Sequence, residues 1–220
     1  VYVVGIGPGN LAYLTPRGKR AIADADVVGF ETVVGFVSKQ TSADLLTCGY
    51  RDEKQAMERF GECVAAGASG TAVLMGDPNH SGYQFVGKVE ATVGRQVRVI
   101  PGISSLQIAV SRARSPMEET TFVTLHKSGN ISEDLDRLRE DVGQRHLLVV
   151  PRPFDWMPED SAAMLLDERV RSETEAVVLG KLTHPEEAIT ITTLAELAER
   201  DSADDESPFS DLTVLAVRTV

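Results

Sequence analysis

Apolar residues along this chain follow two patterns: short unbroken runs, and longer stretches in which they recur every three or four positions. The runs predict buried strands, and the spaced stretches predict helices packed by one face. VYVVGI (1–6) is the first run, and Thr15 followed by Pro16 marks a helix start that RGKRAIADAD carries forward. VVGF (27–30) predicts a second strand, and Met57, Phe60 and Val64 line one face of a helix over about 52–66. TAVLMGDPNHSG (71–82) reads as a strand emptying into a Gly-Asp-Pro turn, YQFVGKVEATV as a helix, and QVRVIPGISSLQIAVSR (96–112) as strand, Pro-Gly turn and helix. Repeated strand, short turn and helix predict parallel crossovers, with loops gathering at the carboxyl ends of the strands, where ligands bind in open α/β sheets.

Pro116, within RARSPMEE (112–119), interrupts the pattern and predicts a linker between domains at 1–113 and 119–220. Beyond it, TFVTL (121–125), HLLVV (146–150), TEAVVLG (174–180), AITITT and DLTVLAV (211–217) predict strands. Helices are expected around SEDLDRLRED, near 158–167 and at LAELAER, giving a second α/β half with more antiparallel character. There is no internal repeat.

Composition narrows the class. The 220 residues are 42% hydrophobic with a mean hydropathy of −0.08, as in a soluble globular protein, and no stretch approaches the roughly 18 apolar residues of a membrane span. The chain opens on a strand-like run without a basic region or a signal-length apolar segment, so the cytoplasm is the expected compartment. Thirty-three acidic residues against 22 basic ones, six of them lysine, give a net charge of −11. Such a field repels nucleic acid and leaves no nucleic-acid or membrane partner to expect. A dense carboxylate shell suits very high intracellular salt, where repulsion is screened within about 3 Å at 1 M; an ordinary acidic protein is the alternative. ERDSADDES (199–207) fits a solvated loop on either reading. Cys48 and Cys63 have neither metal-ligand spacing nor a histidine pair nearby, so no metal site and no disulfide is expected.

The candidate chemistry starts at VVGIGPGN (3–10). A dinucleotide fingerprint needs G-x-G-x-x-G with a helix opening inside it; Gly5 and Gly7 match, but the third position is Asn10 and the helix signal arrives only at Thr15-Pro16. Glu31, at the distance of a ribose-binding acid, is read as a decoy, and no Gly-Lys-Ser/Thr follows to make a P-loop. What remains is a rigid loop in which Pro8 fixes one φ while the glycines beside it permit close approach of a backbone or a flat ligand. GIGPGN, GDPNHSGY and PGISS each follow a strand and should therefore meet at one sheet edge.

In combination and order, these turns resemble those of the tetrapyrrole methylases, which transfer a methyl group from S-adenosylmethionine to large cyclic tetrapyrroles. The resemblance runs through ADADVVGF, PGISSLQIAVSR, TLHKSG, GKLTHPEE and PFSDLTVLAV, essentially the whole chain. PGISSLQIA, LTHPEE and PFSDLTV look most like the branch that methylates C5 of cobalt-precorrin-7 in cobalamin biosynthesis, also met as one half of a fused C5,15-methyltransferase. No sequence matches the other half, so C5 methylation alone is implied, with a separate C15-methyltransferase/decarboxylase as a possible pathway partner.

The resemblance implies two α/β domains with the active site in the cleft between them, S-adenosyl-L-methionine as donor, S-adenosyl-L-homocysteine as product, and a homodimer. Carried over by position, Pro8, Gly76, Asp77, His80, Ser105 and Leu106 contact the donor, Pro101 and Gly102 shape its pocket, and Pro151, Gly180, Lys181 and Ser210 join from the second half. Gly9, Asn10, Arg17, His126, Lys127 and Arg152 are the substrate-side candidates. Relatives commonly carry Asp where this chain has Asn10, and His80 is not usual in its turn, so its contact is expected through the backbone.

Methyl transfer to carbon is an in-line displacement at a sulfonium, so the protein mainly aligns the reacting atoms and excludes water. Asp77 is the candidate for any proton transfer; its other reading is an aspartate that stabilises the turn before Pro78. A polycarboxylate substrate needs local positive charge, which Arg17, Lys127, Arg152 and Lys181 could supply if they are not simply solvated. His126 either touches the substrate or its metal, or is structural; His146 and His184 carry no signal. Trp156 and its flanking prolines line a substrate trough or cover a core. The competing functions are another tetrapyrrole methylase, diphthine synthase, a nicotinamide oxidoreductase and a catalytically silent ligand carrier.

Overall fold

The computed structural model describes residues 1–29, 37–47, 52–153, 155–166, 170–202 and 207–219; Phe30, Glu31 and Cys48 lie outside them. The chain divides into two compact units, residues 1–104 and 105–220.

In the first unit, β1 (Tyr2–Gly5), β2 (Val27–Gly29), β3 (Asp44–Leu46), β4 (Gly70–Leu74) and β5 (Arg98–Ile100) form an all-parallel sheet in the order β3-β2-β4-β1-β5. Helices α1 (Pro16–Ala23), α2 (Glu53–Ala65) and α3 (Tyr83–Val93) supply the crossovers. The unbroken run at β1 has a physical cause. Val3 packs with Val27, Phe60 and Ala72, whereas Val4 packs with Ile22, Val28 and Val73, so successive side chains enter cores on opposite faces. Thr15 Oγ1 accepts from the Gly18 amide at 3.1 Å and Pro16 takes the first helical position, which fixes the start of α1. A side chain at Gly18 would come within 3.0 Å of Val4 Cγ1, so the bare α-carbon lets α1 lie close on β1.

β3 has no counterpart among the sequence-based expectations. It is a three-residue, largely exposed strand at the edge of the sheet, too short for periodicity to register.

The second unit holds β6 (Thr120–Thr124), β7 (His146–Val150), β8 (Glu175–Gly180), β9 (Ala188–Thr193) and β10 (Thr213–Val217), ordered β6-β7-β10-β8-β9. β6 and β7 are parallel and the other neighbours antiparallel, the mixed character the sequence predicts. Its helices are α4 (Ser105–Ala113), α5 (Ser132–Asp141), α6 (Pro158–Leu166) and α7 (Leu194–Ala198). α4 packs on β7 and β10. Leu147, Val178 and Leu215 share a core with Leu138 of α5, Leu165 of α6 and Leu197 of α7. Pro116 precedes a short 3-10 turn, Met117–Glu119, that leads into β6. Among the described residues no helix is long and apolar enough to cross a membrane.

Candidate functional site

β4, β1 and β5 are neighbours and all parallel, so Leu74, Gly5 and Ile100 end on the same edge of the first sheet. The segments that follow are held together by backbone. Ile6 donates to Leu74 O at 3.0 Å, Gly76 N to Gly7 O at 2.8 Å, and Gly7 N to Gly76 O at 3.3 Å. Gly7, Gly9 and Gly76 have φ of 85°, 116° and 68°, a region that favours glycine.

The third turn closes on the other two. A Cβ built on Gly102 would lie 2.1 Å from Gly76 O, and one on Gly5 would lie 2.5 Å from the same oxygen and 2.7 Å from Gly102 N. Three loops distant in sequence therefore meet backbone to backbone, as their placement after parallel strands predicts. Gly5 and the buried Ser104, whose Cα is 3.8 Å from a Cβ placed on Gly76, belong to this meeting point and are absent from the sequence-based site. Both lie within turns the sequence places at this edge, GIGPGN and PGISS, but neither is singled out there as a contact.

The Asp77–His80 segment is a tight turn. Asp77 Oδ1 accepts from Asn79 N at 2.9 Å and Asn79 Nδ2 at 2.8 Å, while His80 N donates to Asp77 O at 2.9 Å. Pro78 is buried behind it, and a side chain at Gly82 would reach within 2.7 Å of Pro78 O. Burial pushes the His80 imidazole below its usual range, with Asp77 pulling the other way. The unfolded chain then binds this proton more readily, so His80 withdraws stability as pH falls below the ordinary imidazole range.

Pro8 is buried within the first turn and Pro101 is exposed at the third. Asn10 Oδ1 accepts from Ala12 N at 2.9 Å and so caps the 3-10 turn Leu11–Tyr13, a task that does not need a carboxylate. Arg17 lines a groove of about 400 Å³ with Tyr2, Arg20, Asp24 and Ser69, alongside residues at the amino ends of β1 and β4.

In the second unit, Ser105 and Leu106 open α4, with Leu106 buried. Pro151 is buried directly after β7, and Ser210 is half-buried ahead of β10. Gly180 ends β8; the exposed Lys181, at φ +48°, donates its amide to Leu212 O at 2.8 Å. Two cations assigned to the substrate are engaged within the unit. Lys127 Nζ pairs with Asp134, and Arg152 pairs with Asp155 while donating to Gly129 O at 3.2 Å. His126 is exposed, yet partial desolvation lowers its pKa, opposed by Asp211. Trp156 packs against the core of the unit and donates to Ser161 Oγ at 3.0 Å, which favours its core-covering reading. Among the described residues no cluster of three or more His, Cys, Asp or Glu could hold a metal ion.

The edge formed by the three turns gathers bare backbone and one carboxyl group. At Gly76 the α-carbon is bare, with only Ser104 Cα within 4 Å of a would-be side chain, and Asp77 places a carboxyl group next in sequence. Backbone amides and carbonyls of glycine turns can approach an adenosyl group closely, and the carboxylate complements a sulfonium charge.

Comparison with known proteins gives the same reading. A family model described as Tetrapyrrole (Corrin/Porphyrin) Methylases matches residues 1–198. The chain is 29% identical to the probable cobalt-precorrin-7 C(5)-methyltransferase of Methanocaldococcus jannaschii, with 97% of this chain and 95% of that protein covered. It is 31% identical to a diphthine synthase of Pyrobaculum calidifontis over 83% of this chain and 81% of that protein. In fold it is similar to the uroporphyrin-III C-methyl transferase of Thermus thermophilus complexed with S-adenyl homocysteine, at a TM-score of 0.72, 20% identity, and 98% and 95% coverage.

Proposed function

Because the chain belongs to the tetrapyrrole (corrin/porphyrin) methylases, we propose that it transfers the methyl group of S-adenosylmethionine to C5 of cobalt-precorrin-7. The observation that carries this choice is similarity along 97% of the chain to a probable C5-methyltransferase, joined to the LTHPEE and PFSDLTV motifs.

When bound, the donor would supply an electrophilic methyl group, the S–CH3 bond giving way to the new C–CH3 bond and its electron pair remaining on sulfur as a thioether. The chain's own residues position and exclude water. Gly76, Asp77, His80, Pro101 and Gly102, with Pro8 behind them, are the proposed donor contacts of the first unit. Ser105, Leu106, Pro151, Gly180, Lys181 and Ser210 are those of the second. Gly9, Asn10, Arg17 and His126 remain proposed substrate contacts. Lys127 and Arg152 also remain proposed substrate contacts, sharing their charge with Asp134 and Asp155. A homodimer, a cytoplasmic location, a high-salt cell and a separate C15-methyltransferase/decarboxylase belong to the same reading, supported by the family and by the charge of −11.

Asp77 remains the proposed residue for any proton transfer, and its charge also complements the cationic donor; its Oδ1 accepts both bonds from Asn79 and fixes the turn. Asp77→Asn keeps an acceptor and loses the charge. Calorimetry should show weaker binding of the cationic donor by about fivefold, the effect of roughly 1 kcal/mol between nearby charges, with S-adenosylhomocysteine unaffected. Equal weakening of both ligands would remove the electrostatic role.

The function itself is tested by S-adenosylhomocysteine calorimetry in low and concentrated KCl, followed by methyl transfer from labelled donor. Cobalt-precorrin-7 gaining one methyl is the expected result. Absence of heat at every salt concentration overturns the methyltransferase reading, and methylation of diphthine precursor instead of the corrinoid moves the chain to the other branch.

A further inference from the structure

Seven residues join β8 to β9, between Gly180 and Ala188, and they carry backbone strain. Lys181 and Thr183 have φ of +48° and +71°, and among the described residues only Ser81 and Arg114 are other non-glycine positions in this region. For a β-branched threonine this is a genuine outlier, and such strain persists only where surrounding structure enforces it. A hairpin can be closed in two residues without strain, so this longer turn is kept for its shape.

One carboxylate holds the Thr183 corner of this turn, while the Lys181 amide is held by Leu212 O at 2.8 Å. Glu187 Oε2 accepts from the Thr183 amide at 2.7 Å, and Glu187 Oε1 accepts from Arg112 Nε at 2.7 Å. Arg112 stands in the last turn of α4, the helix that Ser105 and Leu106 open. The turn is closed further by His184 N donating to Lys181 O at 3.0 Å and Glu187 N to His184 O at 3.1 Å. The Arg112 side chain is 40% exposed and that of Glu187 22%, so the pair adds little to global stability. Its effect is local: it ties the strained turn to the helix.

We propose that Glu187, anchored by Arg112, is a positioning residue for the methyl donor, holding the left-handed Thr183, two residues beyond Lys181, against the helix that Ser105 and Leu106 open. The inference rests on the methyltransferase reading, in which Gly180, Lys181, Ser105 and Leu106 are donor contacts. The Arg112 hydrogen bond, then the Thr183 amide, holds the Glu187 carboxyl below the usual carboxylate range, so the clamp stays charged at neutral pH.

The test uses the full chain, with S-adenosylhomocysteine calorimetry, thermal melting, and hydrogen exchange at the Thr183 amide. Glu187→Gln and Arg112→Ala should each weaken binding by about tenfold, the effect of one charge-assisted hydrogen bond. Melting should shift by no more than about 2 °C, as a surface pair of small global worth requires. Arg112→Lys should recover part of the loss, and Arg112→Ala combined with Glu187→Ala should be no worse than Glu187→Ala alone. Faster Thr183 exchange with affinity unchanged overturns the positioning role and leaves the methyltransferase reading intact. A wild-type protein that binds no S-adenosylhomocysteine overturns both. If Glu187→Ala does not fold, Glu187→Gln and Arg112→Lys decide the matter.

Discussion

Gly102→Ala should abolish S-adenosylhomocysteine binding and destabilise the protein by about 3 kcal/mol or more, the upper range for overpacking a tight site. The new methyl carbon would sit 2.1 Å from Gly76 O and 2.7 Å from Gly5 C and O. All three are backbone atoms, which cannot swing aside as the tip of a side chain can. Relief requires the end of β5 to withdraw or the paired bonds between Gly7 and Gly76 to open, and either displaces the proposed donor edge. Gly94→Ala is the control: its φ is +66° but nothing lies within 4 Å, so it should cost only about 1 kcal/mol and leave binding alone. Urea unfolding and calorimetry measure both effects. Wild-type affinity in Gly102→Ala would mean the three turns do not meet as described.

The second large effect is expected at Phe60, which is fully buried. Phe60→Ala should lower unfolding stability by about 3–5 kcal/mol, the range for a buried aromatic side chain, with an unchanged denaturant slope. The ring lies against β2 and β4, where Gly29 and Gly70 leave room for it; Cβ atoms there would fall 3.1 Å and 2.8 Å from ring carbons. Gly29→Ala, whose near neighbours are all Phe60 ring atoms, should be harmful when Phe60 is present and harmless in Phe60→Ala. That cycle should show a coupling of about 1 kcal/mol. Additive effects would mean that ring and glycine do not share the space.

Much of this architecture was legible because it is written locally. β1 and β4 are buried on both faces and so read as unbroken apolar runs, and Thr15-Pro16 fixed a helix start within two residues. The convergence of the glycine turns was also legible, since parallel strands deliver their loops to one edge. What stayed hidden depends on partners far away in sequence. The Gly5 contact needs Gly76 and Gly102, and the Glu187 clamp needs Arg112, 75 positions earlier. The cations taken for substrate ligands show the same limit. Spacing could have suggested Arg152 with Asp155, three residues on, whereas Lys127 reaches Asp134 only because α5 packs beside β6.

The position of β1 bears on how the chain is made. It pairs with Thr71–Leu74 on one side and Arg98–Ile100 on the other, both later in the chain. During synthesis this sticky ribbon must wait for its flanking strands to leave the ribosome, while β2 likewise waits for β3 and β4. Non-local parallel pairing folds slowly and exposes unpaired strand edges on the way. Recombinant yield should therefore respond to slower translation and to chaperone supply more than the equilibrium stability of the finished protein would suggest.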